Sequence, residues 1–175
     1  MKRLSAFVLI CALSAAALAE DSNQKKMSPG SADPKPDPVI LASKAKVTAP
    51  MTLKDGVISQ PERTELVDGG KAVFEFTVPK DGSYVIHAVV KAPDDDTNSF
   101  YVNIDAQPED PLMIWDIELT SEFADQVVSW RGSGEAGSDE FTPKVFKLTA
   151  GAHKLILTGR EPAQLKSVSI QPAGK

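Results

Sequence analysis

Ala72-Val73-Phe74-Glu75-Phe76-Thr77-Val78 runs through Pro79-Lys80-Asp81-Gly82 into Ser83-Tyr84-Val85-Ile86-His87-Ala88-Val89-Val90. The first segment alternates with a period of two. Successive side chains of an extended chain point to opposite sides, so Phe74, Phe76 and Val78 share one face. The second segment is turn chemistry: proline holds its own φ, and glycine accepts a positive one. The third resumes the alternation and puts Tyr84, Ile86, Ala88 and Val90 on one face. This stretch predicts two half-buried strands joined by a turn.

The same reading extends in both directions. The loop Ala92-Pro93-Asp94-Asp95-Asp96-Thr97 ends the second strand, and Ser99–Ile104 forms the next, with Phe100, Val102 and Ile104 facing one way. Shorter strands are expected near Leu112–Ile117 and Gln126–Trp130. Lys144–Leu148 and Lys154–Thr158 flank Ala150-Gly151 and read as a hairpin. Leu165–Ile170 is the last strand. Helical periodicity is absent from this part of the chain, and there is no internal repeat. Many short strands separated by turns predict an all-β fold, a single jelly-roll β-sandwich. Phe74, Phe76, Ile86, Phe100, Val102 and Ile104 are expected to share its core.

The N-terminal region has a different composition. Lys2-Arg3 precedes an apolar run that ends in Ala17-Leu18-Ala19, the layout of a secretory signal peptide over residues 1–19. Cys11, the only cysteine, lies inside that run and is expected to leave with it, so the mature chain has no thiol, disulfide or thiolate metal site. Residues 20–38 hold four prolines and no large apolar residue except Met27, and they read as a flexible linker. The sandwich domain is expected over residues 39–172. The chain carries a formal charge of -5, and removing Lys2 and Arg3 takes it to -7. An acidic domain repels phosphates, which argues against nucleic acid as a partner. There is no second apolar stretch long enough to span a membrane. The expected location is secreted or periplasmic.

The segments VPKDGSYVIHAVVKAP, NSFYVNID, IWDI, FKLTAGAHKLILTGRE and LKSVSI occur in that order. Together they resemble the galactose-binding-like jelly rolls, especially carbohydrate-binding modules of families 6 and 35, over most of residues 39–172. The resemblance implies a non-catalytic module that binds glycan. It also implies a structural calcium held by carboxylates near both ends of the domain. Here Leu41-Ala42-Ser43 and Leu165-Lys166 stand in those places. Calcium needs several oxygen ligands, and an ammonium group would repel it, so the ion is expected to be lost. Simple alternation places Lys166 on the same face as Val168 and Ile170.

No catalytic constellation emerges, and no cofactor is called for. Neither His87 nor His153 has a Ser or Asp placed beside it by the sequence, and no motif selects a pair among the 24 acidic residues. Asp94, Asp96, Asn98 and Asp105 mimic part of a calcium loop, but Ser99 replaces the required glycine, and a solvated acidic loop is the better reading. A sugar site needs a flat ring for the C–H faces and fixed polar groups for the hydroxyls. Trp130-Arg131 lies before the Gly-rich stretch 132–137 and is the leading candidate. Trp115-Asp116 and Asn98 with Tyr101 come next. Arg160-Glu161 reads as an internal salt bridge. The expectation is a secreted module in which Trp130 stacks on a sugar of a polysaccharide or glycan, Arg131 and Asn98 donate hydrogen bonds, and Asp116 accepts one. The alternative is a protein-interaction module of the envelope or the extracellular space, without glycan binding.

Overall fold

The computed structural model describes residues 38–131 and 141–174. The expected signal peptide, all of the expected linker except Pro38, and the Gly-rich stretch after Arg131 lie outside them. Twelve strands are described: β1 Val39–Leu41, β2 Lys46–Thr48, β3 Thr52–Lys54, β4 Val57–Ser59, β5 Lys71–Val78, β6 Gly82–Ala92, β7 Ser99–Ile104, β8 Ile114–Asp116, β9 Thr120–Val127, β10 Phe146–Leu148, β11 Gly151–Gly159 and β12 Gln164–Pro172. One 3-10 turn spans Ala42–Lys44. The strands form two antiparallel sheets. The first centres on β6 and β12, with β9 and β10 on the far side of β6 and with β1, β4 and β3 beyond β12. The second runs β2-β5-β11-β7-β8. The molecule is an all-β jelly-roll sandwich.

The core follows the alternation. Phe74, Phe76, Ile86, Phe100, Val102 and Ile104 all belong to one buried cluster, joined by Tyr84, Ala88, Val90, Leu155, Leu157 and Val168. The Pro79–Asp81 turn carries the chain from the second sheet into the first. The turn after β10 also changes sheets: β10 pairs with β6, and β11 lies between β5 and β7. The expected hairpin of these two strands is therefore corrected. Both have apolar faces that look into the same core from opposite walls, so they cannot be neighbours. The strand expected at Gln126–Trp130 also lies earlier, at Thr120–Val127. Its residues are half-exposed or exposed throughout, which leaves no apolar stripe to read.

Lys166 departs from the simple alternation. A register shift between Leu165 and Ser167 inserts it as an extra residue against β6. Leu165, Val168 and Ile170 face the core, while Lys166 is exposed, with its ammonium 3.8 Å from the centre of the Phe123 ring. The expectation that Lys166 shares a face with Val168 and Ile170 is corrected by this bulge.

Candidate functional site

Five connections meet at one end of the sandwich: β4–β5, β6–β7, β8–β9, β9–β10 and β11–β12. The first is held down by Gln60, which is buried. Its carboxamide donates to Glu62 O and Thr64 Oγ1 and accepts from the Gly70 N–H. Thr64 N–H donates to Arg160 O, and Thr64 Oγ1 to Gly159 O. A side chain at Gly159 would overlap the Gln60 carboxamide, so this crossing requires glycine there. The result places Arg63 at the rim of a cleft.

The cleft is about 400 Å³ and is lined by Asn98, Asp116, Arg131, Phe141, Arg160 and Glu161, among others. Glu161 is buried. Its carboxylate accepts hydrogen bonds from the Asn98 N–H at 3.2 Å, Ser99 Oγ at 2.5 Å and Arg160 Nη1 at 2.5 Å, with Arg63 Nη1 at 3.3 Å. This makes Arg160-Glu161 an internal salt bridge, as the sequence reading favours, and it anchors the backbone of Asn98. On the facing side Arg131 grips Asp116 through two bonds, Nε to Oδ2 at 2.5 Å and Nη2 to Oδ1 at 2.7 Å. Such a two-pronged pair holds both groups in one plane. Asp116 is buried and Arg131 exposed, so the pair presents a fixed guanidinium to the cleft.

The structure thus brings together three residues that the sequence singled out: Asn98, Arg131 and Asp116. It places the three aromatic candidates elsewhere. Trp115 is fully buried, with its ring 6.2 Å from that of Phe100, and Tyr101 is 1% exposed. Neither has a surface to offer a ligand, which corrects their placement at a binding site. Trp130 is half-buried against the core. Its indole N–H donates to Val102 O at 2.9 Å, its ring meets the edge of Phe146 at 5.6 Å, and Lys144 Nζ lies 3.9 Å from the ring centre. It does not line the cleft. The aromatic residue that does is Phe141, which is 51% exposed. Sequence reasoning passed over it; the available signal was a lone phenylalanine at the end of an acidic, Gly-rich run.

Both histidines have an Asp partner that the sequence could not place. His87 Nδ1 is 2.9 Å from Asp125 Oδ2, and His153 Nδ1 is 2.6 Å from Asp105 Oδ2. His153 Nε2 also reaches Thr149 O at 2.7 Å, so both ring nitrogens are engaged. The Asp105 hydrogen bond, then the Thr149 one, raise the His153 pKa against the opposing effect of burial. Burial pushes the Asp105 carboxyl up, but hydrogen bonds from His153 and the Lys154 N–H outweigh it and leave its pKa lowered. This is a structural histidine. Asp94 closes its own turn, accepting from the Asp96 N–H and Thr97 Oγ1, which fits the solvated-loop reading. Among the described residues, no three His, Cys, Asp or Glu side chains are grouped as ligands for a metal ion. Among them, too, no helix is long and apolar enough to cross a membrane.

No family model matches the sequence, and no curated protein matches it. The fold, however, is shared with solved structures. A native family 35 carbohydrate-binding module from Clostridium thermocellum matches with a TM-score of 0.54 at 12% identity, over 77% of this chain and 97% of that one. The Podospora anserina GH26-CBM35 β-(1,4)-mannanase matches with a TM-score of 0.54 at 12% identity, over 78% of this chain. An isomalto-dextranase from Arthrobacter globiformis T6, complexed with panose, matches with a TM-score of 0.51 at 13% identity, over 75% of this chain. The chain spans 28% of the mannanase and 22% of the isomalto-dextranase. At these identities the likeness is one of fold: the chain has a β-sandwich like that of the family 35 module.

Proposed function

We propose that this chain is an exported, non-catalytic domain that binds carbohydrate in the cleft between Asn98 and Arg131. One observation carries the reading. A loop-lined cleft of about 400 Å³ combines an exposed ring, Phe141, with Asn98, whose backbone is anchored by Glu161, and with the fixed Arg131–Asp116 pair. Its volume is that of small-ligand sites, which lie in the range of about 300–1,000 Å³. A sugar ring lies flat on Phe141, while Asn98 and Arg131 meet its hydroxyls. Asp116 orients Arg131. The fold shared with a family 35 module over nearly that module's full length supports the reading. Export rests on the N-terminal sequence alone.

A glycan-array screen of the folded domain tests the proposal, followed by titration of the best ligand against Asn98→Ala and Arg131→Ala. Binding is expected, and each variant should weaken it by roughly tenfold, the loss of about one good hydrogen-bonding group. If no glycan on the array binds while a protein is captured from the envelope fraction, the interaction-module reading takes its place.

A further inference from the structure

The cleft does not stand alone. A second groove of about 250 Å³ lies beside it, lined by Asp125, Gln126, Val127 and Pro143. The two share Asp116, Glu118 and Phe141. Phe141, the exposed ring among the shared residues, therefore lines both grooves where they adjoin. A site for a chain end needs one walled pocket in which the chain stops. Two grooves that meet along a common edge let a chain continue.

The charges around this track have one dominant sign. Arg131 is committed to Asp116, and both Arg63 and Arg160 are drawn to Glu161. Asp125 is paired with His87. Asp95 and Glu118 are exposed and make no ion pair among the described residues. The carboxylates thus outnumber the guanidiniums, and a polyanion entering the track meets repulsion. Hydroxyl groups face no such barrier, because they can both donate to carboxylates and accept from Arg131.

We infer that the track holds an internal stretch of an uncharged polysaccharide, which crosses Phe141 from one groove into the other. This rests on the glycan-binding reading above and adds the charge of the ligand and the part of the chain that is bound. Phe141 is then a specificity-determining residue, since it contacts sugar units on both sides.

Affinity electrophoresis at low ionic strength tests this in gels carrying β-1,4-mannan, dextran, xylan, a mixed-linkage β-glucan or polygalacturonate. At least one neutral polymer should retard the protein, and polygalacturonate should not. Phe141→Ala should weaken retardation by the neutral polymer on the order of tenfold, with an unchanged melting temperature. For the unmodified protein, oligosaccharides of that polymer with both ends chemically capped should bind as tightly as uncapped ones. Retardation by polygalacturonate equal to that by the neutral polymers, or loss of binding on capping the ends, overturns the inference and leaves glycan binding intact. If none of the five polymers retards the protein, the glycan-binding reading falls and the inference falls with it.

Discussion

Trp130 and Phe141 divide between them the two roles that an aromatic residue near a cleft can have. Trp130 supports the wall from beneath, through its hydrogen bond to Val102 O and its contact with Phe146. Phe141 faces the solvent. Trp130→Ala should therefore cost about 3 kcal/mol in a denaturant titration, as expected for loss of a large packed ring. A loss below about 0.5 kcal/mol would mean that the ring is not part of the core. His153 allows a second prediction. Its pKa is raised in the folded protein, so its stabilising contribution is full below the unfolded value of about 6.5 and is lost as pH rises through the folded value. The stability difference between the unmodified protein and His153→Asn should shrink over that interval on the alkaline side. A ring titration by NMR that gives a pKa at or below 6.5 would contradict it. Asn98 and Asp116 are polar residues at strand ends, before β7 and at the end of β8, whereas Arg131 lies four residues beyond β9. The aromatic assignment failed because a tryptophan beside a Gly-rich run has the same sequence signature whether its ring points out or in.

Strands were legible in proportion to the contrast between their two faces. β5 and β6 alternate between buried and exposed or half-exposed positions, and which of their faces is buried follows from sequence alone. β7 is buried on both faces, yet Phe100, Val102 and Ile104 still mark its core side as the wholly apolar set, against Ser99, Tyr101 and Asn103. β9 lacks contrast and was misplaced. β1 to β4 are three residues each, too short for a period to show. β12 shows a different failure, because one inserted residue reverses the alternation on either side of it. Leu165 lies before the bulge and Val168 after it, and both face inward. Leu165→Ala should accordingly cost about 2–5 kcal/mol. Lys166→Ala should cost less than about 1 kcal/mol, the worth of an exposed cation–ring contact. Equal costs at the two positions would mean that the bulge is absent.

The sandwich has its cleft at one end, where five connections meet, and the segment after β9 ties that end together. Val128 N–H donates to Ile86 O in the first sheet, and Arg131 N–H donates to Ile114 O in the second. Four consecutive residues thus bridge both layers, and the last of them presents the guanidinium proposed to meet a sugar. Hydrogen exchange would make this visible. The amides of Val128 and Arg131 should exchange more slowly than the exposed amides of the Asp94–Asp96 loop, because each is tied to the carbonyl of a strand. A cleft wall stitched in this way is rigid before any ligand arrives. Little ordering entropy then remains to be lost on association, and selection among sugars falls to shape and hydrogen-bond geometry instead of to closure around the guest.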